Sequence, residues 1–248
     1  MEPILRIKNL TKSFDSQPVL KDINLELISG ENVVILGRSG QGKSVLLKCI
    51  VGLVKPDGGS IHVLNENVQD LKRKELNELR KKVGFCFQGN ALYDSMTIRE
   101  NLEFPLRRSL GLRRSAEILE KVKEALNEVG LVDTIDKLPA ELSGGMRKRI
   151  GIARTLILKP SIMLYDEPTS GLDPLTAAEI NSLIVMMQQK YGVSSLIITH
   201  DLTCARHTAN QLVFMKDGAI AMQGDFNEIA SDPVDPILKS FFDYTSTS

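Results

Sequence analysis

The chain has 248 residues, with Lys plus Arg at 31 and Asp plus Glu at 31, so its formal net charge is zero and a strongly basic nucleic-acid binder is disfavoured. Hydrophobic residues make up 42%, enough for a sizeable core, yet the longest apolar runs, SLIVMM (182–187) and SLIIT (195–199), fall far short of the roughly 18 residues of a membrane span. Cys49, Cys86 and Cys204 are odd in number and far apart, which fits a reducing compartment, and the opening MEPILRIKNLTKSF has no signal-peptide core, so a soluble chain is expected.

The first 30 residues alternate apolar and polar side chains in ILRIKNL and VLKDINLEL, which predicts strands of a partly exposed antiparallel sheet. ENVVILG is a continuous apolar run that suits a buried parallel strand. It leads through GRSGQGKS (37–44) into SVLLKCIVGL, which reads as a helix. From about 70 to 140 the chain is charged and mostly helical, and Ile118, Val122, Leu126 and Val129 recur at helical spacing. LSGGMRKRIGIARTLILK reads as a glycine-started helix with Ile150, Ala153 and Ile157 on one face. SIMLYDEP is a buried strand, LTAAEINSLIVMMQQKY a helix with Ile180, Leu183, Ile184 and Met187 inward, and SSLIITHD a third buried strand. QLVFMKDGAIAMQG predicts a hairpin turned at Asp217-Gly218. Strands alternating with helices give an α/β core with a parallel sheet. In the tail, Ile237, Leu238, Phe241 and Phe242 share a helical face that would contact its own domain or a neighbouring subunit, and the final TSTS reads as disordered.

GRSGQGKS matches the G-x-x-x-x-G-K-[ST] phosphate loop in its strand–loop–helix setting. Gly37, Gly40 and Gly42 let backbone N–H groups turn toward anionic oxygens, and the following helix presents its positive end. Lys43 would reach the β- and γ-phosphates, and the Ser44 hydroxyl would ligate Mg²⁺. SIMLYDEP adds two carboxylates at a strand end. Asp166 would sit on the metal side, and strand alternation turns Glu167 to the other side, as the candidate general base for an attacking water. Gln88 and His200 each follow a buried apolar run.

The order GRSGQGKS, FQG, LSGGM, MLYDEP, SGLD, ITHD resembles the nucleotide-binding subunit of an ATP-binding-cassette (ABC) transporter, over residues 4 to 224. The resemblance implies a RecA-like phosphate-loop core with an N-terminal antiparallel β subdomain and a helical subdomain at about 89–158, together filling 1–224, with 225–248 as a tail. It implies ATP and Mg²⁺ as ligands. Phe14 would stack on adenine, and Gly37, Arg38, Ser39, Gly40, Gln41, Gly42, Lys43, Ser44 and Val45 would wrap the phosphates. Ser44, Gln88 and Asp166 would serve the metal, Asp166 through water. Glu167, His200, Lys43 and Gln88 would carry the hydrolysis, with His200 on the γ-phosphate. Asp173 would lie in a loop that crosses a dimer interface. Two copies would pack head to tail, so that Ser143, Gly144 and Gly145 cap the ATP held by the other copy. That explains why ELSGGMRKR contains no acid, base or nucleophile. A multi-span permease would hold the pair at the cytoplasmic face of the inner membrane.

Met146 stands where the family commonly has Gln. With FQGNALYDSMTIRENLEFPLR (87–107), it resembles the Mla- and Mce-type ATPases, which implies phospholipid movement between bacterial inner and outer membranes and an Mce-domain lipid-binding partner. The alternative cargo is an amino acid or another small solute. A DNA- or ribosome-acting ATPase is the rival class. A single cassette, with about 54 residues between Gln88 and Ser143 and no net positive charge, speaks against it and against any nucleic-acid partner.

Overall fold

The computed structural model describes residues 2–89, 91–231 and 238–239. Two sheets organise it. In the first, β1 (Pro3–Phe14) pairs antiparallel with β2 (Gln17–Ile28), β4 (Gly58–Val63) pairs along the other edge of β1, and β5 (Glu66–Asn67) closes the order β2-β1-β4-β5. Along β2 the residues Leu20, Ile23, Leu25 and Leu27 are buried and most of those between them are exposed, as the alternation predicts.

The second sheet has the order β10-β9-β3-β8-β7-β6. Its strands are β3 (Asn32–Leu36), β6 (Val83–Cys86), β7 (Ile162–Asp166), β8 (Ser194–Thr199), β9 (Gln211–Lys216) and β10 (Ala219–Asp225). All neighbours pair in parallel except β9 and β10, whose tight turn at Asp217-Gly218 makes them antiparallel. β3, β7 and β8 are buried at every residue because both faces of the sheet carry a core. Val33 and Ile35 pack into one hydrophobic cluster, while Val34 and Leu36 pack into the other. Met163 and Tyr165 of β7 likewise separate from Ile162 and Leu164. The period-two strand thus serves two cores at once, which is why its sequence reads as an unbroken apolar run.

The cluster that takes Val33 and Ile35 lies between the sheets and is closed by α1 (Lys43–Ile50) and α2 (Arg73–Lys82). The other is covered by α3 (Ile98–Ser109), α4 (Ser115–Glu128), α5 (Gly144–Leu156), α6 (Pro174–Tyr191), α7 (Leu202–Thr208) and α8 (Phe226–Ser231). The 3.6-residue spacings hold here: Ile118, Val122 and Leu126 of α4 are 0% exposed, and Ile180 and Ile184 of α6 are equally buried. Within the stretch read as mostly helical, β6 instead joins the edge of the six-stranded sheet, bonded to β7. Of the tail residues singled out above, Leu238 is buried in the larger cluster. Ile237, Phe241, Phe242 and the final TSTS lie outside the described residues.

The carboxyl ends of β3, β6, β7 and β8 all open on one edge of the sheet, the edge at which open α/β folds bind ligands. The residues that follow them are Gly37, Phe87 with Gln88, Glu167 and His200.

Candidate nucleotide site

The chain leaves β3 at Leu36, and the Gly37 amide donates to the Thr199 carbonyl at the end of β8. Gly40 and Gly42 lie in the left-handed region, at φ 83° and 91°, which a β-carbon resists. Gly42 is the N-cap of α1 and offers no side chain to the helix, so the first α1 amides stay available to an anion. Lys43 is 5% exposed and curls back over the loop, donating to the carbonyls of Gly37 at 2.5 Å and Arg38 at 2.9 Å. Burial pulls its ammonium below the usual lysine range, opposed by Glu167 and Asp166.

The Ser44 hydroxyl, at the next residue of α1, lies 3.1 Å from Oδ1 of Asp166, the last residue of β7. Burial pushes the Asp166 carboxyl above the usual range, and the neighbouring Glu167 adds to the push. A cation would relieve both effects. Two hard oxygen donors suit Mg²⁺, which binds through one or two protein groups and fills its other positions with water and phosphate oxygens. The donor set therefore fits the ion.

Glu167 departs from the strand pattern expected of it. Its φ is 51°, in the left-handed region, so its carboxylate is aimed by a backbone break rather than by alternation. That carboxylate meets the His200 ring, with Oε2 2.8 Å from Nδ1, and Oε1 lies 3.8 Å from the Lys43 ammonium. The peptide is fixed too: the Glu167 amide donates to the Ile198 carbonyl at 2.9 Å, and its carbonyl accepts from Lys148 Nζ at 3.2 Å. A carboxylate, a cation and an imidazole are thus brought together beside the ends of β7 and β8.

A cavity of about 330 Å³ gathers Ser39, Gly40, Gly42, Lys43, Ser44, Val45, Gln88, Glu167 and His200, together with Val19 of β2. Gly37 and Arg38 support it through their carbonyls, and the Gln41 side chain is bonded to the Asp217 amide in the β9–β10 turn. Phe14 stands at the exposed end of β1, 45% accessible, with the Lys12 ammonium 5.1 Å from its ring centroid. Sequence reasoning missed Val19, the Gln41–Asp217 tie and Lys148. Gln41 and Lys148 both lie inside quoted motifs, GRSGQGKS and LSGGMRKR, but neither motif marks a partner outside its own segment.

Ser143, Gly144 and Gly145 do not line this cavity. Ser143 caps α5, its Oγ accepting from the Met146 amide at 3.2 Å. The two glycines differ. A β-carbon on Gly145 would collide with Cγ2 of Thr176, whereas one on Gly144 would rest 3.6 Å from Leu172, an ordinary contact. Asp173 holds Thr176 in turn, capping α6 through the Thr176 amide at 3.0 Å. Gly145→Ala is accordingly expected to cost about 1–3 kcal/mol of stability by overpacking, and Gly144→Ala none. Thermal unfolding of the two variants checks this. Gly144→Ala is then the clean probe of any role outside the chain's own packing.

A phosphate loop on a doubly covered parallel sheet, with adjacent carboxylates at the next strand but one, defines a P-loop ATPase. The ABC transporter family profile matches residues 20–170. A probable ribonucleotide transport ATP-binding protein of Mycobacterium leprae (strain TN) is 39% identical over 96% of this chain and 68% of its own length. A methionine import ATP-binding protein of Brucella abortus (strain 2308) is 36% identical over 96% of this chain and 64% of its own. The chain thus spans about two thirds of the length of these relatives. The dimeric, post-hydrolysis structure of the ATP-binding cassette MJ0796 with ADP and Pi superposes with a TM-score of 0.82 at 34% identity, covering 89% of this chain and 98% of that one. CbiO1 of Clostridium perfringens, part of an ABC transporter complex, gives 0.86 at 32% identity over 94% and 92%. The chain belongs to the ABC transporter family and carries its ATP-hydrolysing, Mg²⁺-dependent domain. No helix among the described residues is long and apolar enough to cross a membrane.

Proposed function

We propose that two copies of this chain hydrolyse ATP between them to drive a membrane permease. The observation that carries this reading is the division of the motifs. The phosphate loop, Gln88, Glu167 and His200 share one cavity, while Ser143–Gly145 lie outside it. A head-to-tail pair would bring Ser143 of the partner subunit onto the ATP, and MJ0796 is itself a dimer with ADP and Pi.

In this reading the loop amides and Lys43 hold the β- and γ-phosphates, which frees Lys43 from the carbonyls of Gly37 and Arg38. Ser44, Asp166 and Gln88 would hold Mg²⁺, Asp166 through water. When bound, that ion neutralises charge on the transferred phosphate. Glu167 accepts a proton from the water that attacks the γ-phosphorus as the bond to the β-phosphate oxygen breaks. His200 moves from Glu167 to the γ-phosphate, and Phe14 stacks on adenine. An apolar cleft of about 340 Å³, bordered by Leu53, Phe85, Phe87 and Pro168 beside the Gln88 loop, supports permease docking there, at the cytoplasmic face of the inner membrane.

On cargo, the relatives' names favour a small solute, since they speak of methionine import and ribonucleotide transport. A second reading, phospholipid with an Mce-domain partner, rests on Met146 and the 87–107 stretch. Purification of Glu167→Gln from detergent-solubilised native membranes with ATP and Mg²⁺, followed by mass spectrometry, separates them. A permease with a solute-binding protein supports the first. A permease with an Mce-domain protein and phospholipid supports the second. Absence of any multi-span protein defeats both.

A further inference from the structure

Lys148 lies on α5 one turn beyond Gly144, on the helix that Ser143 caps. Lysines seldom withdraw from solvent, because an ammonium loses its hydration there. This one is 9% exposed. Among the described residues its ammonium forms no ion pair with a carboxylate. It donates instead to two main-chain carbonyls, Gln88 at 2.9 Å and Glu167 at 3.2 Å. Burial draws it below the usual lysine range. A long cationic side chain is thus held in an unfavourable setting to grip two backbone atoms from two different loops.

Those loops are the ones that follow β6 and β7, and both contribute side chains to the nucleotide cavity. Glu167 needs the grip more than most residues, since its left-handed backbone is one a β-carbon disfavours. Its carbonyl accepts from Lys148 and from the Ser170 amide at 3.2 Å, which opposes relaxation of the peptide. The start of α5 is rooted as well, because Gly145 packs directly on Thr176.

We propose that Lys148 is a positioning residue that ties helix α5 to the backbones of Glu167 and Gln88, so that the placement of the Glu167 carboxylate depends on where α5 stands. The proposal rests on the reading of Glu167 as general base. It gives the helix that would reach the partner's ATP a direct mechanical link to the peptide that carries the chain's own carboxylate, through a single hydrogen bond.

The test compares Lys148→Met, which keeps the apolar stem and removes the donors, with Lys148→Arg, which keeps donors. The expected result for Lys148→Met is a fall in kcat of about 10- to 100-fold, the size that follows when a reacting group is misplaced by about an ångström. KM for ATP should change little, Tm should fall modestly because the Gln88 carbonyl loses its donor, and Lys148→Arg should recover most of both kcat and Tm. In a Glu167→Gln background, Lys148→Met should add no further loss in single-turnover measurements, because both changes disable one element. Should Lys148→Met fail to fold, Lys148→Leu, which also lacks a donor, carries the same comparison. Wild-type kcat in Lys148→Met beside a slow Glu167→Gln overturns the tether alone. A full additional loss in the double variant also overturns it, since Lys148 would then act independently. Wild-type kcat in Glu167→Gln itself defeats the base reading, and the tether with it.

Discussion

Replacing Glu167 with Gln is expected to lower ATP turnover about 10²- to 10⁴-fold, the span of a general-base contribution, while ATP still binds. The change is nearly isosteric. The amide oxygen can still accept from the His200 main-chain amide, which now donates to Oε2 at 3.3 Å. What disappears is the proton acceptor and one negative charge beside Lys43. Losing that charge should favour a polyanionic ligand, so the variant should accumulate in the ATP-bound state. Steady-state phosphate release measures the first effect. Gel filtration with and without ATP–Mg²⁺ measures the second, where a dimer seen only with nucleotide is the expected outcome. Turnover near the wild-type rate would remove Glu167 from the role and leave the proton to another acceptor.

The parts of this site that could be read from the amino acids alone are those where one residue type has one physical use. A glycine loop ending in Lys-Ser has few alternatives, and ENVVILG could only be a strand buried on both sides, as Val33 to Leu36 prove to be. Helical spacing fixed the inward faces of α4 and α6 for the same reason. What stayed hidden depends on three-dimensional neighbours. Glu167 was assigned its direction by strand alternation, yet it leaves the strand at φ 51°, a break no local sequence pattern marks. Gly145 reads from the resemblance as part of a cap on another copy's ATP, whereas the structure shows that its missing side chain leaves room for Thr176, thirty-one positions away in sequence. Lys148 sits in the basic run RKR, where no spacing sets it apart from its neighbours. Its burial follows from where α5 rests against the loops after β6 and β7. β4 and β5 escaped notice because GGSIHV and a two-residue strand offer too few alternations to register.

Lys43→Met should abolish detectable ATP protection and turnover together, which separates it from Glu167→Gln, where only turnover falls. The buried ammonium answers two carboxylates, Glu167 at 3.8 Å and Asp166, and bonds the carbonyls of Gly37 and Arg38. A thioether of similar length fills the same volume and answers none of them. The ligand then brings its own negative charge to a site already holding two carboxylates of that sign, with only the loop amides and any bound metal in opposition. For the wild type, ATP–Mg²⁺ at 100 times Kd should stabilise the fold by about 2.7 kcal/mol. For a chain of this size that amounts to a rise in Tm of roughly 5–11 °C. Lys43→Met should show almost none of that rise at the same concentration, while Glu167→Gln should show all of it. The free variant should also melt lower than the free wild type, because two loop carbonyls lose their donor, at about 1–3 kcal/mol for each one left buried and unpaired. An unchanged thermal shift in Lys43→Met would mean that the loop amides alone carry the phosphate contact, and would reduce Lys43 to a brace for the loop.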